Sequence, residues 1–190
     1  MENMTINDAK GEIKPRDGFI YDAIMRGYDS SFFKTISGTP SVVASKVRLT
    51  SAAIGSYPQV KRGTFEFAVN IPAAATAGDA RKIGLLNPSA PTRSSIYFEV
   101  VGAVFRVVSY DDDGTAETTV ISGSTIHGSE ILFKIEWGPD YIIFSLAGTP
   151  IATHKTRVGS IAQGLYLING NADNMDTGYI LVKETANLIS

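Results

Sequence analysis

The chain has 190 residues, of which 44% are hydrophobic and 19% are charged, and its formal net charge is -2. A single domain of this size buries roughly 70% of its unfolded surface, so it needs neither a metal nor a disulfide to fold. Lysine and arginine are scattered and form no basic patch, so we expect no nucleic-acid partner. The chain has no cysteine, which excludes disulfides, thiolate catalysis and cysteine-ligated zinc.

The N-terminal segment is polar and lacks the apolar stretch of a secretory signal. No apolar run approaches the ~20 residues of a spanning helix, so we expect no membrane partner, and the compartment stays unassigned. Residues 1–17 are predicted to form an arm with little structure of its own, ahead of one domain over residues 18–190. Residues 18–28 suit one short helix capped by Asp17, and a strand start fits them almost as well.

The rest of the chain alternates apolar and polar residues, with turn residues roughly every eight to twelve positions. This pattern predicts about ten to twelve short strands and scarcely any helix. The predicted strands cover residues 42–49, 64–71, 81–86, 95–101, 103–110, 117–121, 131–137, 142–146, 151–154, 165–169 and 179–183. With no internal repeat, they favour an all-β fold, a two-sheet antiparallel β-sandwich.

Two stretches show the alternation most clearly. In residues 64–71 every second residue is large and apolar, which predicts a strand with one buried and one wet face. Residues 131–148 form two such strands around Gly138-Pro139-Asp140, the pattern of a hairpin. Trp137 shares the apolar side of its strand, so we expect it in the core. In the strand predicted over residues 42–49, the residues offered to the core are Val43, Val47 and Leu49.

Residues 62–72 resemble the strand written G-x-F-E-x-x-V-x-I-P in the concanavalin A-like lectin and glucanase jelly rolls. Residues 133–148 are similar to the I-E-W-x-P-D-x-I-x-F-x-x-x-G hairpin of the same superfamily, and residues 179–183 resemble the closing strand of its laminarinase branch. The likeness spans about residues 19–185. It implies two antiparallel sheets, one of them curved, with a shallow concave face where sugars bind.

The same resemblance implies where an active site would lie. Its glucanase branch carries Glu-x-Asp-x-Glu on one strand, and the comparable positions are Ser95, Tyr97 and Glu99, so two of the three acids are missing. Retaining hydrolysis needs two carboxyl groups about 5 to 5.5 Å apart. The best partner for Glu99 by strand parity is Glu66, with both expected on the wet faces of half-exposed strands. We therefore expect no glycosidase activity and no catalytic residue.

The remaining candidates concern ligands and ions. A pyranose ring needs an aromatic platform beside polar groups, so Tyr97 and Glu99 on a wet face suit sugar binding, with Ser95 and Glu66 as further contacts. His127 and His154 are expected at the surface. We expect no cofactor and no metal site. Calcium is the one ion with candidate loops, namely residues 111–114, where a tight hairpin turn explains the sequence better, and Asn171, Asp173, Asn174 and Asp176.

Two hypotheses follow for function. The first is a non-catalytic interaction module that binds a glycan on its concave face, or a protein partner as a structural component of a larger assembly. By analogy that assembly would be a virion, with the chain as a phage decoration or fibre domain, and the arm would support a homo-oligomer. The alternative is a divergent glycoside hydrolase of the laminarinase or β-glucanase type with a relocated carboxylate pair.

Overall fold

The computed structural model describes residues 19–22, 33–60, 62–72, 80–86, 90–123, 126–170 and 172–183, with only the backbone described at 19–22, 57–60 and 183. This part of the chain forms fifteen strands. They are β1 (Phe19–Asp22), β2 (Phe33–Ser37), β3 (Ser41–Val43), β4 (Lys46–Leu49), β5 (Ala52–Val60), β6 (Gly63–Asn70), β7 (Ala80–Leu86), β8 (Ile96–Val101), β9 (Val104–Tyr110), β10 (Ala116–Ile121), β11 (Glu130–Trp137), β12 (Ile142–Leu146), β13 (Thr149–His154), β14 (Gln163–Asn169) and β15 (Met175–Lys183).

The strands form two antiparallel sheets. The eight-stranded sheet has the order β13-β12-β11-β6-β15-β4-β3, with β1 also paired to β15. The seven-stranded sheet has the order β10-β9-β8-β7-β14-β5-β2. The predicted all-β, two-sheet antiparallel sandwich is therefore confirmed. Within the described residues no helix is long and apolar enough to span a bilayer.

The core lies between the two sheets and is built from alternate residues of both. Phe98 of the seven-stranded sheet meets Phe133 and Phe144 of the eight-stranded sheet edge to face, with ring centroids 5.1 and 5.3 Å apart. The apolar residues predicted to share one side of β6 and of β11 are buried or, at Ile131, partly buried against this core. Trp137 is buried as expected, and its Nε1 donates to the Gly159 carbonyl oxygen at 3.2 Å.

Residues 42–49, predicted as one strand, form a hairpin instead. The chain turns at Ala44 and Ser45, whose φ angles of 50° and 64° suit the tight turn between β3 and β4. Neither residue is glycine, so the sequence carries no clear signal of this turn. Val43 consequently lies on the edge strand and is exposed, whereas Val47 and Leu49 reach the core as predicted.

The first part of the domain also differs from the sequence prediction. Residues 19–22 form a strand, which decides between the helix and the strand start for that part of residues 18–28. The rest of that segment and the arm predicted over residues 1–17 lie outside the described residues. The strands β2 and β5 were not predicted, since β5 is rich in alanine, glycine and serine and lacks strong apolar alternation. Both strands pair within the seven-stranded sheet, where β5 lies between β2 and β14.

Candidate functional site on the seven-stranded sheet

The candidate site residues of β8 lie on the outer face of the seven-stranded sheet, the face turned away from the core. Because side chains alternate along a strand, Ile96, Phe98 and Val100 enter the core while the residues between them point outward. Strand pairing aligns Tyr97 with Gly84 of β7, and Glu99 with residues of both neighbouring strands. The structure therefore places Tyr97 and Glu99 on one face of β8, as the sequence analysis expected, while Ser95 lies one residue before the strand begins.

The expectation of a wet face here is wrong. Ser95, Tyr97 and Glu99 expose only 0%, 4% and 5% of their surface. They belong to a strand with neighbours on both sides, and a second apolar cluster has formed on this face. That cluster contains Ala53, Leu86, Tyr97, Val108 and Tyr166, with Ile36, Tyr110 and Ile168 packed against it.

Glu99 lies between two cations on this face. Its Oε2 accepts a hydrogen bond from Arg106 Nε at 2.5 Å, and its Oε1 lies 3.4 Å from Lys82 Nζ. The register explains the contact, because Lys82 on β7 and Arg106 on β9 are the direct cross-strand neighbours of Glu99. Each carboxylate oxygen thus has a cation within ion-pair distance. The arrangement suits a compensated buried charge better than a general acid.

Tyr97 is held by the same surroundings. Lys82 Nζ lies 4.6 Å from the centre of its ring and 3.5 Å from its hydroxyl, and the ring of Tyr110 lies 6.4 Å away. Burial raises the pKa of Tyr97, and the neighbouring Tyr110 and Glu99 add to that effect, so its phenol stays neutral. Tyr97 is thus a neutral phenol within a buried cluster.

A glycine separates two tyrosines on this face. Gly84 lies opposite Tyr97 on one side and Tyr166 of β14 on the other. A Cβ at Gly84 would lie 2.3 Å from the carbonyl oxygen of Ile96, so no larger residue fits this close approach of the strands. Tyr166 is also buried, with 7% of its surface exposed, and burial raises its pKa. Tyr97 and Tyr166 therefore lie on either side of Gly84, and both are largely screened from solvent.

Glu66 does not join this site. It lies on β6 of the eight-stranded sheet, opposite Lys134 and Leu181, while Phe65 and Phe67 on either side of it enter the core. Its carboxylate and that of Glu99 therefore face opposite surfaces of the sandwich, so the pairing inferred from strand parity is wrong. Parity says which residues share a face within one strand, but it cannot say that two strands belong to the same sheet. Among the described strand residues, Glu99 is the only carboxylate on the outer face of the seven-stranded sheet.

His154 was expected at the surface, and this too is wrong. It is fully buried at the end of β13, where Nδ1 lies 2.8 Å from the Ser109 hydroxyl and Nε2 lies 3.0 Å from the Thr119 hydroxyl. Those hydroxyls belong to β9 and β10, so the ring joins the edges of the two sheets. Burial lowers the pKa of His154, with a smaller opposing effect from Glu117. His127 is half-buried, and its Nδ1 donates to the Pro72 carbonyl oxygen at 2.7 Å.

Carboxylates in both loops considered for calcium have hydrogen-bond partners. Asp112 accepts from the N–H and hydroxyl of Ser160 at 2.7 and 2.6 Å, and from the Ser94 hydroxyl. Burial opposes its ionisation, but these hydrogen bonds outweigh it and lower the pKa of Asp112 to about 2. In the second loop, Arg48 binds both oxygens of Asp176 at 2.7 and 2.8 Å. Asn171 lies outside the described residues. No group of three His, Cys, Asp or Glu side chains suited to a metal occurs in the described part of the chain.

Similarity to known proteins rests on structure. No protein-family model matches the sequence, and no curated protein matches it. The solved β-glucanase of Bacillus licheniformis superposes with a TM-score of 0.74 and 13% identity, over 90% of this chain and 100% of that one. The fold is that of a β-glucanase jelly roll. The endo-1,3-β-glucanase (laminarinase) catalytic domain of Thermotoga petrophila RKU-1 matches with a TM-score of 0.69 and 13% identity, over 89% and 97% of the two chains. The apo Crh5 transglycosylase superposes with a TM-score of 0.75 and 15% identity, over 90% of this chain and 85% of that one.

These matches confirm the resemblance to the concanavalin A-like glucanases at the level of fold. Sequence reasoning missed three residues of the site in this glucanase-type jelly roll: Lys82, Arg106 and Tyr166. Lys82 and Arg106 lie on the two strands adjacent to β8, and Tyr166 lies one strand further away, on β14. The sequence did carry a signal for Lys82 and Arg106, because each is the one cation at an outward-facing position of its predicted strand. Connecting those cations to Glu99 requires the strand register, which the sequence alone does not supply.

Proposed function

We propose that this domain is a non-catalytic interaction module on a glucanase-type jelly roll, serving as a structural component of a larger assembly. One observation carries the proposal: Glu99 is the only carboxylate among the described strand residues of the outer face, and both its oxygens are ion-paired. Retaining glycoside hydrolysis needs an acid and a nucleophile about 5 to 5.5 Å apart. A face with one compensated carboxylate supports neither role.

The burial of this face favours assembly over an open sugar groove. Tyr97 and Tyr166, the two rings suited to stacking on a pyranose, expose 4% and 7% of their surface. A sugar platform must present the face of an aromatic ring to its ligand. Here the rings contribute instead to an apolar cluster that stabilises the fold. The virion decoration or fibre role expected by analogy is one setting for such a module.

Glycan binding is the second form of this proposal. The observation that favours it is Ser95, whose buried hydroxyl has no hydrogen-bond partner although it shares a face with Tyr97 and Glu99. A sugar hydroxyl would satisfy it if the face opened. The alternative from another class, a divergent glycoside hydrolase, is favoured by the solved structures of the same fold, which are a β-glucanase, a laminarinase and a transglycosylase.

One experiment separates these functions. Purified protein is incubated with mixed-linkage β-1,3-1,4-glucan and with β-1,3-glucan, and reducing ends and calorimetric binding are measured for wild type, Glu99→Gln and the control Glu66→Gln. We expect no release of reducing ends by any of the three. Release that Glu99→Gln abolishes and Glu66→Gln leaves intact would overturn the proposal in favour of the hydrolase. Binding without release would support the glycan-binding form. Neither binding nor release would support the structural form.

A further inference from the structure

The edges of the two sheets differ in how they are protected. In the described part of the chain, β3 and β13 end the eight-stranded sheet, β2 and β10 end the seven-stranded sheet, and β1 pairs only with β15. An edge strand presents unpaired N–H and carbonyl groups that can pair with another chain. Proteins normally prevent this with charged side chains, above all lysine, or with proline, a β-bulge or a very short strand.

Four of these five edges carry such a device. The strand β13 contains Pro150, and its register with β12 shifts between Phe144 and Ser145. The strand β2 carries Lys34, and its register with β5 shifts between Thr35 and Ser37. The strands β3 and β1 are only three and four residues long.

The exception is β10. Its six residues contain no proline and no lysine, and they pair with β9 in one unbroken register from Ala116 to Ile121. Exposed residues alternate with half-buried ones, so Ala116, Thr118 and Val120 face solvent along the strand. None of these three side chains carries a charge. The one charged residue of the strand, Glu117, lies on its half-buried side, where its carboxylate accepts backbone N–H groups of its own chain.

An exposed apolar patch adjoins the same edge. Val120 exposes 64% of its surface, and Val104 on β9 exposes 45%. Both line a shallow groove of about 440 Å³ that also includes Ile126 and His127. The unprotected backbone edge and the exposed valines therefore occur together, which is the combination that marks an association surface.

We propose that β10 is a dimerisation edge, which pairs antiparallel with β10 of a second copy and extends the seven-stranded sheet across a two-fold axis. If Thr118 of one copy lies opposite Thr118 of the other, the small Ala116 of each copy lies opposite the larger Val120 of the other copy. The same register sets Glu117 opposite Thr119 and keeps the two carboxylates apart. Glu117 is already engaged within its own chain, since its Oε2 accepts the N–H groups of Thr156 and Arg157 at 3.0 and 3.1 Å. This association does not depend on whether the domain acts on a glycan.

The absence of cysteine from the chain makes a direct test available. A disulfide in a Thr118→Cys variant can form only between two copies, and directly opposed residues of an antiparallel pair lie about 4.5 to 5.5 Å apart at Cα, within disulfide range. Val42→Cys, on the edge strand β3 and 48% exposed, is the matched control. We expect Thr118→Cys to give a covalent dimer under mild oxidation and Val42→Cys to remain monomeric. Equal cross-linking of the two variants, or none at Thr118→Cys, would overturn the proposal.

Sedimentation velocity provides the second measurement. We expect wild type to form a dimer, and Val120→Lys to weaken it by about tenfold or more, because a lysine beside a paired edge must be desolvated or displaced. Val42→Lys is the control and should leave the mass unchanged. A wild-type protein that stays monomeric at about 100 μM would exclude the second copy as the partner, even if another protein binds this edge.

Discussion

The two outer surfaces of the sandwich show the same alternation of side chains but different environments. On the eight-stranded sheet Glu66 is half-buried, and the nearby Lys134 and Glu136 form an ion pair at 3.2 Å that is about one third exposed. On the seven-stranded sheet Glu99 is buried between Arg106 and Lys82, beside a cluster of tyrosines. A polar residue between two core residues is therefore directed outward by its strand, but that direction does not establish contact with water.

Removing an aromatic ring from each surface should give the largest difference. Tyr97→Ala is expected to lower the free energy of unfolding by about 3 kcal/mol, because it deletes a buried ring. The matched variant Tyr179→Ala, on the outer side of the eight-stranded sheet and half-buried, should cost about 1 kcal/mol. Urea denaturation of the two variants measures the difference, and equal costs would show that the two surfaces are equally wet in solution.

Removing one cation from each surface should give a smaller difference. Arg106→Ala leaves the buried Glu99 with Lys82 alone, and we expect a loss of about 2 kcal/mol, reduced from the full cost of an unpaired buried charge because the Arg106 side chain is itself 38% exposed. Lys134→Ala breaks an exposed pair and should cost less than about 1 kcal/mol. High salt should weaken the second interaction more than the first. The reverse ranking in denaturation would contradict the assignment of Glu99 as a buried, compensated charge.

The pH dependence of stability should give the smallest effect, and it tests the region between the two sheets. The folded-state pKa of His154 is lowered by burial from its ordinary value, so the unfolded chain binds this proton more readily. Its contribution to stability is therefore fully present above the unfolded pKa of about 6.5 and is lost as the pH falls through the folded pKa. We expect thermal stability to decline as the pH falls below about 6.5.

The controls for this effect are the variants His154→Gln and His127→Gln. The glutamine at position 154 should flatten the decline, because it can still reach the hydroxyls of Ser109 and Thr119 but does not titrate. The variant His127→Gln should show the same decline in thermal stability as wild type. A decline that is identical in wild type and His154→Gln would mean that other groups, and not this buried imidazole, govern the acid response.

Part of the candidate site was predictable because it depends on local periodicity. The two-residue repeat placed Ser95, Tyr97 and Glu99 on one face of one strand, and the same repeat identified the buried face of β6 and the core position of Trp137. The hairpin at Ala44 and Ser45 was not predictable in this way, because its left-handed residues are not glycines. The burial of His154 was missed because its partners lie 45 and 35 residues away in the sequence.

The sequence by itself determined that this chain is a β-sandwich of short strands, since alternation and turn residues act over a few neighbouring positions. Only the tertiary structure decided that Glu66 and Glu99 lie on opposite surfaces and that Arg106 and Lys82 enclose Glu99. It also decided that β10 ends the seven-stranded sheet among the described strands. These properties depend on which distant strands become neighbours, and in an antiparallel sheet that choice is made by packing over the whole core.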